Sequence, residues 1–206
     1  MNTNANAKRV LCYGDSNTWG AVPLTDERYS ADIRWTGVLQ NLLDNQYEII
    51  EEGLCGRTFS VLEEEEPHRR GITHIESILR THEPLDFVIV MLGTNDMKNT
   101  FNLSVEEIGN HLQETIGLIK NQNINNILII CPPAVTKPYA TELDFSMERA
   151  LELSVDLPKE FEKISKQNNC LYLNAGENIT LEKTDGYHLN SEHHSILANM
   201  IFEKIK

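Results

Sequence analysis

Five short apolar runs separated by segments of helical spacing predict an α/β chain: a three-layer α/β/α sandwich on a five-stranded parallel sheet. Three observations carry this reading. The runs are rich in β-branched residues, as strands are. One of them, Phe87-Val88-Ile89-Val90-Met91-Leu92, is continuously apolar, which suits a strand buried on both faces, as in a parallel sheet. The segments between the runs carry apolar residues at i, i+3, i+4 steps, so strand and helix alternate along the chain. In such folds ligands sit beyond the carboxyl ends of the strands.

The strand runs are residues 10–13, 47–51, 86–92, 126–131 and 170–174. Trp35, Val38, Leu39, Leu42 and Leu43 make the apolar face of a first helix. Ile108, Leu112, Ile116 and Ile119 make that of a second, and Ser104 with Glu107 forms a capping box at its start. Phe161 and Ile164 continue a third helix past Pro158. Ser191 opens the last, which carries Ile196, Leu197, Met200 and Ile201. Two long loops, 58–71 and 132–145, are candidate pocket walls. The first holds Glu63-Glu64-Glu65-Glu66, read as solvated surface; the second opens with Pro132-Pro133, which ends its strand. With no repeat and no linker, residues 1–206 read as a single domain.

The 31 acids against 18 bases give a formal charge of −13, which argues against nucleic acid and anionic membrane surfaces as partners. The chain contains no stretch of 18 apolar residues, so nothing spans a membrane, and its first residues lack the apolar core of a secretion signal. Cys12, Cys55, Cys131 and Cys170 form no C-x-x-C pair and read as reduced, structural thiols in the cytoplasm.

The chemistry gathers at strand ends. After the first strand comes Gly14-Asp15-Ser16-Asn17-Thr18, where a hydroxyl and free helical N–H groups can meet; the plainer reading of Ser16 is a helix N-cap. Position 18 is Thr, so this is not the G-x-S-x-G elbow of α/β-hydrolases. After the second strand, Gly56 can bring a backbone N–H close to a ligand. After the third, the side-chain amide of Asn95 can face an oxyanion or merely close an Asx-turn. Near the C-terminus, Asp185 and His188 lie three apart, so a carboxylate can fix an imidazole whose other nitrogen faces a nucleophile.

Gly14-Asp15-Ser16, Gly56, Gly93-Thr94-Asn95-Asp96 and Asp185-Gly186-Tyr187-His188, in that order, resemble the four blocks of the SGNH (GDSL-type) esterase and lipase/acylhydrolase superfamily. Gly14 to Gly20, Arg34-Trp35-Thr36-Gly37, Ile50-Glu51-Glu52-Gly53-Leu54 and Met91 to Asp96 look like its bacterial arylesterase/acyltransferase branch. The resemblance implies a flavodoxin-like fold, Ser16 as nucleophile, His188 as general base and Asp185 as its orienter. It implies an oxyanion hole from the backbone N–H of Ser16, that of Gly56 and the Asn95 side chain, with no metal and no cofactor. The implied substrate is a small ester with a short-chain acyl or aryl group, cleaved through an acyl-enzyme that alcohols also accept. Deacetylation of a carbohydrate is the enzymatic alternative. A non-catalytic phosphate-binding module is the other, but Asp15 would repel the anion and Asp185 and His188 would go unexplained. A homo-oligomer is compatible with the sequence and not readable in it.

Trp19 and Tyr187 adjoin these blocks and are candidate pocket walls, whereas Trp35 lies on an apolar helix face and reads as packing. His68, His74, His82, His111, His193 and His194 show no metal-ligand spacing. Cys55 has no implied base, and Arg57 can meet an anionic substrate but reads first as a salt-bridge partner for one of the many acids.

Overall fold

The structure, a computed structural model, describes residues 2–138 and 145–206. Strands β1 (Lys8–Gly14), β2 (Tyr47–Gly53), β3 (Phe87–Met91), β4 (Ile127–Cys131) and β5 (Leu171–Asn174) form one sheet. They lie in the order β2-β1-β3-β4-β5, all parallel. Their ends differ by one or two residues from those the apolar runs suggest. Strand pairing, not apolarity, ends a strand: Gly14 pairs with Gly53 and with Met91, carrying β1 and β2 past their apolar stretches.

Between the strands run α1 (Ser16–Trp19), α2 (Trp35–Leu43), α3 (Gly71–Thr81), α4 (Val105–Lys120) and α5 (Ala150–Gln167), and α6 (Ser191–Ile205) follows the last strand. The pleat sends alternate residues to opposite faces. Leu11, Tyr13, Val88, Val90 and Ile129 enter one core, under Ile75 of α3, Leu112 of α4 and Phe161 of α5. Val10, Cys12, Ile89, Met91 and Ile130 enter the other, under Trp35 and Leu39 of α2 and Leu197 of α6. This is the three-layer sandwich. The capping box of Ser104 and Glu107 is present at the start of α4, and Asn190 with His193 makes a second one at the start of α6.

The strand order decides where the site falls. From β1 the chain moves to one side for β2 and then to the other for β3, so the connections leaving β1 and β3 diverge to opposite faces. A crevice opens at that switch point, beyond the carboxyl ends of β1 and β3. The loop after β2 closes on itself, with Thr58 N–H donating to Arg69 O at 3.0 Å and Gly71 N–H to Thr58 O at 3.0 Å. Of the loop read at 132–145, residues 139–144 lie outside the described residues.

Candidate active site

β1 ends at Gly14, where a Cβ would lie 2.1 Å from Thr18 Oγ1, so only glycine lets the chain turn back this tightly. Asp15 is the N-cap of α1, its side chain accepting the Asn17 N–H at 2.9 Å. Ser16 is therefore not the cap but the first helical residue, 8% exposed, with its amide in the turn where helical N–H groups have no intrahelical acceptor.

Ser16 Oγ lies 2.9 Å from His188 Nε2, and His188 Nδ1 lies 2.7 Å from Asp185 Oδ2. The other carboxylate oxygen, Oδ1, accepts the N–H groups of Tyr187 at 3.1 Å and His188 at 3.0 Å. Burial works against the Asp185 carboxylate, but the bonds from the His188 ring and the two backbone N–H groups outweigh it and hold its pKa below the ordinary value. An ionised carboxylate only accepts, so Nδ1 carries the ring proton and Nε2 is left to accept from the Ser16 hydroxyl.

Gly56 has a φ of +80°, and the side chain of Arg69 lies over it where a Cβ would stand, 2.5 Å from Nε. Asn95 follows β3 in a 3-10 turn and donates one amide hydrogen from Nδ2 to Arg57 O at 3.1 Å. A second hydrogen remains on that nitrogen. A cavity of about 360 Å³ is lined by Ser16, Trp19, Gly56, Asn95, Tyr187 and His188. Asp185 sits behind His188, and the Tyr187 ring leans on the imidazole at 4.5 Å. All the residues singled out for the site thus converge at one place. Trp35 is buried in the α2–α6 core and takes no part. Among the described residues no three metal-ligating side chains converge.

Several neighbours were not legible. Asn17 bridges the two ends of the chain: its Nδ2 donates to Tyr187 O at 3.1 Å and its Oδ1 accepts Leu189 N–H at 2.9 Å. Arg57 makes none of the salt bridges expected of it. It donates to the carbonyls of Gly14, at 2.9 Å, and Glu52, and stacks on the Tyr13 ring at 4.2 Å. The acidic run is not all solvated surface either. Glu64 and Glu65 are exposed, but Glu63 turns in to Lys98 Nζ at 3.0 Å and Arg69 Nη1 at 3.3 Å, two cations of the cavity wall. Arg34 and Thr36 meet Glu51, and Arg28 meets both Glu51 and the Trp19 carbonyl, which braces Trp19 against β2. Burial raises Asp15 to about 6 and Asp96 to about 7. Cys55 also lines the cavity, with its thiol raised first by burial and then by the charge of Asp15, which disfavours the thiolate.

The model of the GDSL-like lipase/acylhydrolase family matches residues 12–196. Solved structures are similar over nearly the whole chain. A carbohydrate acetylesterase from Sinorhizobium meliloti is 31% identical with a TM-score of 0.92, covering 96% of this chain and 98% of that one. An aryl esterase from M. smegmatis is 31% identical with a TM-score of 0.91, covering 97% and 98%. A lipase/acylhydrolase from Enterococcus faecalis, 19% identical with a TM-score of 0.71 over 96% and 95%, shares the fold. No curated protein matches the chain.

Proposed function

The chain belongs to the GDSL-like lipase/acylhydrolase family and is an ester hydrolase, and from that premise we propose that Ser16, His188 and Asp185 are its catalytic triad. The observation that carries this reading is the relay from Ser16 Oγ through His188 to Asp185, at 2.9 and 2.7 Å, facing a cavity that Gly56 and Asn95 also line.

A serine hydroxyl is a weak nucleophile without an adjacent base. Here Oγ attacks the acyl carbon while its proton passes to His188 Nε2. Asp185 holds the ring in the required tautomer and stabilises the imidazolium. The carbonyl oxygen becomes an oxyanion, which accepts from the N–H groups of Ser16 and Gly56 and from the free amide hydrogen of Asn95. His188 then returns the proton to the leaving alkoxide. Water attacks the acyl-enzyme by the same route, with His188 again as base.

The cavity of about 360 Å³ is at the small end of ligand pockets, about 300–1,000 Å³, which supports short-chain acyl esters over long lipids. Trp19 and Tyr187 offer flat apolar walls for an aryl alcohol. A carbohydrate acetyl group is the second reading, favoured by the polar wall of Thr25, Asp26, Arg69 and Lys98. Transfer of the acyl group to an added alcohol needs no further residue, because His188 deprotonates an alcohol as it does water. A fluorophosphonate should label the protein at Ser16 and fail to label Ser16→Ala. A panel of acetyl to dodecanoyl esters on aryl and sugar alcohols then sorts the substrate class. Vinyl acetate with a primary alcohol reads transfer against hydrolysis. Labelling that persists in Ser16→Ala would remove the nucleophile assignment.

A further inference from the structure

A buried charge is costly unless hydrogen bonds and a counter-charge compensate it. Arg57 is 5% exposed in a chain of net charge −13, yet among the described residues no acid stands within ion-pair distance of it. Its guanidinium is spent on two backbone carbonyls, Gly14 O at 2.9 Å and Glu52 O, and on the face of the Tyr13 ring. Its backbone is equally committed. The Arg57 N–H donates to Leu54 O at 3.1 Å, closing the turn that contains Gly56, and the Arg57 carbonyl accepts the Asn95 amide at 3.1 Å. One residue therefore joins the end of β1, two residues before Ser16, to the end of β2 and to the loop after β3. Asp96, fully buried beside Asn95, adds a second staple by accepting the Phe59 N–H on both carboxylate oxygens, at 3.0 and 3.2 Å.

We propose that Arg57 is the positioning residue of the oxyanion site, holding Gly56 and Asn95 at a fixed distance from Ser16. The proposal rests on the reading that these three supply the oxyanion donors. Donors that stabilise a transition state must be fixed before the reaction, and a displacement of about 1 Å costs about a hundredfold in rate. Both bonds leave from Nη1, and together with the plane stacked on Tyr13 they leave the guanidinium a single orientation. A lysine ammonium has N–H donors enough for both carbonyls but no plane to lie flat on Tyr13, so it loses the orientation that the stacked guanidinium fixes.

The test compares Arg57→Lys and Arg57→Met with the parent on p-nitrophenyl acetate, with competent sites counted by phosphonate titration so that misfolded protein does not enter the rate. Per competent site, kcat should fall about tenfold in Arg57→Lys and up to about a hundredfold in Arg57→Met, with KM within about threefold of the parent. If Arg57 acts through Asn95, combining Arg57→Met with Asn95→Ala should cost less than the product of the two single losses. A kcat per site equal to the parent's in Arg57→Lys, a change in KM alone, or fully multiplicative losses would overturn the proposal. Asn95→Ala with undiminished kcat would overturn the oxyanion reading itself and this proposal with it. Asn95→Ala impaired beside an unimpaired Arg57→Lys would remove only the role of Arg57.

Discussion

Replacing Asp185 by Asn tests the relay with one atom changed. The carboxylate accepts three N–H groups: two from the backbone, at 3.1 and 3.0 Å on Oδ1, and one from the His188 ring, at 2.7 Å on Oδ2. An asparagine keeps its carbonyl oxygen for the two backbone bonds, so the loop stays folded, and places its NH₂ at the Oδ2 position. That NH₂ then faces the Nδ1–H, donor against donor. The imidazole resolves the conflict by moving its proton to Nε2, where it points at Ser16 Oγ in place of the lone pair. The base is thereby lost without loss of geometry. For serine hydrolases such a tautomer reversal costs about 10⁴ in kcat, or about 5 kcal/mol of transition-state stabilisation. Steady-state hydrolysis of p-nitrophenyl acetate, with the rate of fluorophosphonate labelling measured in parallel, reads both the turnover and the nucleophile. Stability should show its own pH signature. The Asp185 carboxyl is held below its ordinary pKa, so its ionised form stabilises the fold above the unfolded value near ~4. That contribution disappears as pH falls through the folded value. The Tm deficit of Asp185→Asn should thus be visible at pH 7 and close in acid. A variant that keeps its near-UV circular dichroism and retains kcat within tenfold of the parent would refute the reasoning.

Three further outcomes are expected. Asn95→Ala should lower kcat by about 10²–10³ with little change in KM, checked by steady-state kinetics, because its amide serves the oxyanion more than the ground-state carbonyl. Asn17→Ala leaves the N–H of buried Leu189 without its acceptor, a loss of about 1–3 kcal/mol that calorimetry should read as a Tm several degrees lower. Asp96→Asn should flatten the pH dependence of Tm. Burial raises the folded pKa of Asp96 to about 7, so the parent loses stability as pH rises from about 4 to about 7 and levels off above, while an amide has no proton to lose. An unchanged slope in that window would exclude the buried Asp96 carboxyl as its source.

Much of the fold was legible because its signals are local. Apolar runs of four to seven residues announce buried strands, and 3.6-residue spacing announces α2, α4 and α6. α3 is a helix that the apolar patterns named above do not include, although Ile72, Ile75, Ile78 and Leu79 recur at helical spacing along it. The candidate site was legible for a related reason: three of its blocks follow a strand end and the fourth, Asp185 to His188, lies in the loop before α6, and turns and loops restrict residue type. The rest was not. Arg57 looked like a partner for an acid because composition supplies 31 of them, but its true partners are carbonyls, which have no sequence signature. Glu63 resembled its three acidic neighbours, but the fold of its own loop brings Arg69 beside it and the turn after β3 brings Lys98.

By itself the amino-acid sequence determined the alternation of strands and helices, the two apolar faces of the sheet, and the residue types at each strand end. These follow from side-chain period and backbone preference, which act over a few residues. Tertiary structure alone decided that β1 lies between β2 and β3, and so that Ser16, Gly56 and Asn95 open into one crevice. It alone brought His188 across 172 residues to within 2.9 Å of Ser16, and made Asn17 the clamp that holds the two ends together. Hydrogen bonds of that reach depend on which strands are neighbours, and neighbours are chosen by the burial of the whole sheet rather than by any one segment.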